Sequence, residues 1–210
     1  MQSNDLHEIN KLKLHRLIFF SDAVLAIIIT LLVIELHLPD LADSSSATEM
    51  FEKLLYMVPN FGAFLICFLT ITQAWVGLNT LFSAVVKYDN TLGLLNAFSL
   101  LPICLLPFVA SLIGNYFDNP ASFIFLSGVS FASSIAQSFV NRHLFKNKML
   151  SPLVDHKYFE KLMKTAIVFP IVSLLIGLTA YLSTLLSFSL FMLAILYSMW
   201  ILHKMKLTSD

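Results

Sequence analysis

Arg16-Leu-Ile-Phe-Phe20-Ser21-Asp22-Ala-Val-Leu-Ala-Ile27-Ile-Ile-Thr30-Leu-Leu-Val-Ile34-Glu35 is the stretch from which the fold is read. No charge occurs between Ala23 and Ile34. A carboxylate at the centre of a spanning helix costs roughly 2.5–3.5 kcal/mol on insertion scales, so Asp22, at the mouth of this run, needs a reason to be there. The composition of the whole chain agrees with a membrane setting. Of 210 residues 58% are hydrophobic and 12% charged, with mean hydropathy +0.81, whereas soluble domains carry about 25% charged residues. The formal net charge of zero speaks against a nucleic-acid partner or a basic peripheral surface.

A helix needs about 20 apolar residues to cross a bilayer, and six segments qualify, near 17–38, 59–84, 91–114, 120–141, 159–182 and 187–206. The expectation is an all-α membrane protein, one domain over residues 1–210, with six transmembrane helices joined mostly by short loops. The first run carries Asp22 and Glu35 and no small-residue cleavage pattern, so it reads as a retained helix rather than a signal peptide. Ser46 and Glu49 have capping-box spacing, which predicts that the second helix begins outside the bilayer and enters it through Pro59 as an amphipathic leader. Asn119-Pro120 reads as N-cap and first-turn proline of the fourth helix.

Lys and Arg set the orientation. With the N-terminus inside, Lys11, Lys13, Arg16, Lys87, Arg142, Lys146, Lys148, Lys157, Lys161, Lys164, Lys204 and Lys206 lie on the inner face and Lys53 alone lies outside, 12 against 1 of the 13. The positive-inside rule then places both termini in the cytoplasm. The basic stretch from Arg142 to Lys164 is either this topogenic signal or a contact for anionic headgroups. The outer loops carry Asp40, Asp43, Glu49, Glu52 and Asp118, either a solvated surface or a means of concentrating cations at the outer mouth with Glu35.

Inside the spans, Gly128, Ala132 and Ala136 recur at the four-residue spacing of close helix packing. Pro102 and Pro107 are expected to bend the third helix and Pro170 the fifth. Cys67 and Cys104 read as small buried hydrophobes. Gln73, Trp75, Asn79 and Asn96 bring hydrogen-bonding groups into the membrane. Arg16 and Asp22 are six residues apart, about 9 Å of rise and 240° of rotation, so they do not pair and must find partners on other helices. Ser21, Trp75, Asn79 and Asn96 are the available groups. Such a knot either anchors the inner end of helix one or holds that helix in a functional orientation. Ile27, Leu31 and Ile34 form an aliphatic column with Thr30 beside it, compatible with lipid, core or a pore wall.

The run from Arg16 to Leu36 closely resembles the first helix of the prokaryotic relatives of transmembrane protein 175, the endolysosomal potassium channel. Matches continue in Trp75, Asn79, Leu81 and Phe82, in Leu95-Asn96, and in Leu106-Pro107-Phe108, covering roughly residues 14 to 110. One departure is Leu78, where the family usually carries a histidine. The resemblance implies a homotetramer of six-helix subunits whose first helices line a central pore for permeant K+ and other monovalent cations, in a bacterial plasma membrane among its lipids. It also implies a constriction at Ile27, followed outward by Leu31 and Ile34, with Thr30 at an ion-coordinating position. Arg16, Phe20, Ser21, Asp22, Trp75, Asn79 and Asn96 correspond to the motif that packs helix one. An aliphatic ring of this kind predicts weak to moderate preference for potassium over sodium, and no cofactor beyond the permeant ion is implied.

A secondary transporter shares the six helices and broken prolines but would place its polar site near the midplane, where these helices are almost wholly apolar. A membrane enzyme would need a nucleophile, a metal cluster or paired acids. His7, His15, His37, His143, His156 and His203 lie in loops or near helix ends without metal-ligand spacing, so no catalytic constellation is expected.

Overall fold

The computed structural model describes residues 3–37, 46–152 and 168–204. Within them the elements are α1 (Ser3–Ile34), α2 (Ala47–Tyr56), α3 (Val58–Ser83), α4 (Asn90–Leu100), α5 (Leu106–Asn115), α6 (Pro120–Lys146), α7 (Val168–Tyr181) and α8 (Thr184–Lys204). Five stretches among the described residues are long and apolar enough to cross a membrane: Glu8–Ile34, Val58–Ser83, Asn90–Asn115, Pro120–Lys146 and Thr184–Ile201. The fifth predicted span, 159–182, appears as α7 in its described part. Residues 159–167, together with Asp40, Asp43, His156, Lys157, Lys161, Lys164 and Lys206, lie outside the described residues.

α3 is the central helix, packed against α1, α5 and α8, while α4 packs on α6. The core runs along these contacts through Leu25, Ile28 and Leu32 of α1, Ile66, Ile71 and Leu78 of α3, Leu106, Val109 and Ile113 of α5, and Phe123, Leu126 and Leu144 of α6. Between lipid-facing helices apolar burial carries little driving force, so close packing and interhelical hydrogen bonds must hold the bundle. The side chain of Gln73 on α3 accordingly donates to the Ser198 hydroxyl on α8. Gly177 of α7 lies directly against Ser127 of α6.

The capping box forms as its spacing predicts. Ser46 Oγ accepts from the Glu49 amide at 3.2 Å, and Glu49 Oε2 accepts from the Ser46 amide at 2.9 Å. α2 does not run continuously into the span, however, because Met57 (φ −82°, ψ 0°) breaks the helix before Pro59 in the first turn of α3. Asn119 caps α6, its Oδ1 accepting from the Ala121 amide at 3.0 Å. The predicted single third helix is broken between α4 and α5 by a 3-10 turn at Ile103–Leu105. Pro102 and Pro107 supply no amide hydrogen to the carbonyls four residues earlier, so the regular ladder cannot continue through them. This turn leaves Cys104 exposed, contrary to its reading as a buried hydrophobe, while Cys67 is fully buried.

Two further expectations are corrected. α1 begins far before residue 17, and it ends at Ile34, leaving Glu35 in a turn. Its 32 residues reach about 48 Å at 1.5 Å each, longer than a hydrocarbon core of about 30 Å, so Lys11 and Lys13 belong to a stretch that overhangs the membrane. The small-residue stripe on α6 is largely open within the described subunit: Gly128 and Ala132 are exposed, Ala136 is half-buried, and beyond its chain neighbours and its own helix backbone nothing lies within 4 Å of a Cβ built on Gly128.

At the end of the bundle where α3 connects to α4 the connections are tied together. Asp89 caps α4 by accepting from the Leu92 amide at 2.7 Å, and its other carboxylate oxygen meets His143 Nε2 of α6 at 2.8 Å. An antiparallel bridge pairs Val85 with Leu150 through Val86 N–H to Met149 O at 2.9 Å and Ser151 N–H to Ala84 O at 2.8 Å. Lys13 of α1 sits 5.9 Å above the Tyr88 ring in the same connection.

Candidate pore face and its supporting polar contacts

α1 divides cleanly into two faces. Leu14, Leu17, Ser21, Leu25, Ile28 and Leu32, spaced by three and four residues, are buried against the subunit. On the opposite side Arg16, Phe20, Ala23, Ile27, Thr30, Leu31 and Ile34 are exposed. Ile27 is 59% exposed, Leu31 42% and Ile34 65%, so the described residues of the subunit leave the aliphatic column largely uncovered. α1 is apolar on both faces, and the choice of buried face rests on the polar contacts made at its inner half.

Two contacts make that choice. Asn96 of α4, fully buried, donates from Nδ2 to Ser21 Oγ at 2.7 Å, and Ser21 in turn donates to the Leu17 carbonyl at 3.1 Å. Trp75 of α3 donates from Nε1 to Asp22 Oδ1 at 2.9 Å. Ser21 and Asp22 are adjacent, so the two bonds hold neighbouring positions of α1 to different helices and together set its rotation. The motif residues do not form one knot. Arg16 and Phe20 are exposed, Arg16 forms no ion pair with Asp22, and Asn79 is half-buried with no side-chain hydrogen bond among the described residues. The geometric reason is the 240° between positions 16 and 22 on a helix: once Ser21 faces the subunit, Arg16 faces away from it. Leu78, in place of the usual family histidine, is buried in the core.

Asn96 Oδ1 is buried without a donor among the described residues. A stranded buried acceptor costs about 1–3 kcal/mol, while Ser21 retains its bond to Leu17 if Asn96 is lost. Asn96→Leu is therefore expected to leave stability within about 1 kcal/mol of the parent or to raise it, whereas Asn96→Asp, which puts a charge there, lowers it further. Thermal unfolding in detergent separates these cases. Equal losses in the two variants would show that a bound water or donor satisfies the oxygen.

Thr30 Oγ1 donates to the Ile27 carbonyl at 2.8 Å. With its one hydrogen committed to the backbone, the exposed hydroxyl offers lone pairs outward, the polarity that a cation or its hydration water needs.

A cleft missed by the sequence reading lies beyond Ile34. Glu35, His37, Lys53, Tyr56, Asn60, Ser111 and Asn115 line an open volume of about 510 Å³ where the end of α1 meets α2, the start of α3 and the end of α5. Lys53, Tyr56 and Asn60 recur at helical spacing, as do Ser111 and Asn115, but these short sets come from separate parts of the chain, and only the fold brings them together with Glu35 and His37.

The family model described as endosomal/lysosomal potassium channel TMEM175 matches residues 16–107. The rat endosomal/lysosomal proton channel TMEM175 is 31% identical over 142 residues, covering 67% of this chain and 28% of that protein. A potassium channel of Chamaesiphon minutus is 34% identical over 101 residues, covering 48% of this chain and 49% of the relative. The chain thus spans less than a third of the rat relative and about half of the second. The crystal structure of a lysosomal potassium-selective channel TMEM175 homolog from Chamaesiphon minutus superposes with a TM-score of 0.77 at 24% identity, over 90% of this chain and 98% of that one. That likeness shows the fold.

Proposed function

We propose that this chain, which belongs to the TMEM175 family through residues 16–107, is the subunit of a potassium-permeable cation channel. In this reading four copies surround one axis, α1 lines it, and both termini are cytoplasmic. The observation that carries the proposal is the split of α1: the face with Ile27, Thr30, Leu31 and Ile34 is exposed, while the face with Leu17, Ser21, Leu25, Ile28 and Leu32 is held by the subunit. The relatives named as potassium channels support the choice of ion.

Mechanistically, Ile27 forms the constriction. A ring of aliphatic side chains gives a cation nothing in exchange for its water shell, so a narrow ring dewets and blocks, and a dilated one conducts hydrated ions. Discrimination between potassium and sodium is weak to moderate, because the lining has no array of carbonyls to replace hydration. Thr30, one turn outward, supplies the hydroxyl oxygens that hold water or ion near the barrier. Arg16 lies on the same stripe toward the inner end, and Asp22 and Ser21 act behind it by fixing the rotation of the helix.

Purified protein in a planar bilayer, with potassium on one side and sodium on the other, tests the reading. Unitary steps reversing toward the potassium equilibrium potential are expected. Silence across voltages from protein shown to be inserted and tetrameric, together with coupled solute flux, would replace the channel by a transporter.

A further inference from the structure

α2, Ala47–Tyr56, is a helix that the described residues of its own subunit do not cover. None of its residues is buried. Isolated helices shorter than about 12–15 residues are marginal in water, and the capping box satisfies donors at one end only. The ten residues therefore need a surface to lie on. At 100° per residue, Ala47, Met50, Phe51, Leu54 and Leu55 fall on one arc, and Thr48, Glu49, Glu52, Lys53 and Tyr56 on the other. Met50, Phe51, Leu54 and Leu55 are all exposed.

We propose that α2 is an interfacial helix, lying at the boundary of headgroups and acyl chains on the outer side of the membrane with the Met50, Phe51, Leu54 and Leu55 arc immersed in lipid.

Three observations commit the occupant to lipid. Met57 is the single residue between α2 and the membrane-spanning α3, so the C-terminal end of α2 sits at the depth where α3 enters the bilayer. The first turns of α3 likewise expose apolar side chains, Val58, Phe61 and Leu65, at the end of the span that adjoins α2. On the other arc Lys53 and Tyr56 line the open cleft beside Glu35 and His37, so the polar side of α2 faces water and the apolar side faces away from it. A strongly divided helix of low overall hydrophobicity is the type that lies in an interface. Its polar arc carries two glutamates against one lysine, so apolar immersion holds it and anionic lipid is not required. The inference depends on the membrane placement of α3 and not on ion conduction.

Site-directed nitroxide labelling of the full chain in phosphatidylcholine vesicles tests it. Cys104, exposed on the 3-10 turn, is replaced by serine, and the fully buried Cys67 is retained. Single cysteines are placed in turn as Met50→Cys, Phe51→Cys, Leu54→Cys, Leu55→Cys, Thr48→Cys and Glu52→Cys, so that the pattern survives the loss of any one variant. Collision with oxygen, which partitions into lipid, is compared with collision with a water-soluble nickel chelate. The expected result is an oxygen-to-nickel ratio several-fold higher at 50, 51, 54 and 55 than at 48 and 52. The proposal is overturned if all six labels favour nickel, which puts α2 in water. It is equally overturned if the apolar-arc labels are shielded from both reagents, which means that protein, such as a second copy of the chain, covers the arc.

Discussion

Ile27→Asn is expected to raise unitary conductance about tenfold, the change that accompanies a barrier lowered by about 1.4 kcal/mol, and to bring potassium and sodium permeabilities close together. The parent side chain offers only carbon to a passing ion. At 59% exposure it makes few contacts inside its subunit, so the substitution does not hollow out the core. Four amides around the proposed axis would wet the ring and give the ion oxygen ligands while part of its shell is removed. They would also blunt discrimination, because a wider hydrated passage treats the two ions alike. Single-channel recording with matched potassium and sodium gradients reads both quantities. Ile28→Asn is the control one residue along: Ile28 is 3% exposed and packs in the core, so an unpaired amide there should cost assembly instead of changing conductance. If Ile27→Asn in an assembled tetramer left conductance and selectivity unchanged, the constriction would lie elsewhere on α1.

The second large effect is structural. Gly177→Ala is expected to destabilise the bundle by about 3 kcal/mol, the upper part of the range for overpacking. A Cβ at position 177 would overlap both Cβ and Oγ of Ser127 on α6, and it would approach the Phe123 carbonyl at 3.5 Å. Rotating the Ser127 side chain relieves only the hydroxyl, because Cβ moves with the backbone. α7 and α6 would have to separate, losing the close approach on which helix association in lipid depends. Ser127→Gly removes both clashing atoms, so the double variant Ser127→Gly/Gly177→Ala should recover most of the loss, leaving a helix-interior glycine penalty of about 1 kcal/mol. Unfolding midpoints of the four proteins in one detergent close the cycle. Additive losses in the double variant would show that the two positions do not meet.

How much of this was legible in the chain differs by feature. The Ser46–Glu49 box and the Asn119–Pro120 start formed as read, because a cap involves residues three or fewer apart and nothing distant competes. The third helix was read as one span bent at Pro102 and Pro107, and the structure carries that bend to a break at Ile103–Leu105, since a missing amide acts on its own turn. The set of polar residues around α1 was legible, yet its wiring was not: Ser21 with Asn96 and Asp22 with Trp75 could not be told from pairings with Asn79, because all are single groups on different helices. Cys104 was misread as buried, and Gly128 finds no close neighbour within the described subunit: Cys104 falls in the 3-10 turn between two apolar helices and Gly128 in an apolar helix, and apolar character in a membrane protein marks lipid contact as readily as burial. The cleft from Glu35 to Asn115 joins short sets of helically spaced residues from separate segments, a meeting that no single stretch of sequence records.

Hydropathy and charge along the chain therefore settled the membrane class and, through the lysine and arginine bias, the expected sidedness. Each depends on residue type summed over a window, a property the chain has before it folds. The folded bundle was needed to say which side of α1 is open. A helix that is apolar all round has no polar stripe to mark its outside, and lipid rewards neither face. What turns Ile27, Thr30 and Ile34 outward is a pair of hydrogen bonds from Asn96 and Trp75, and those two residues stand 75 and 53 positions away from their partners along the chain.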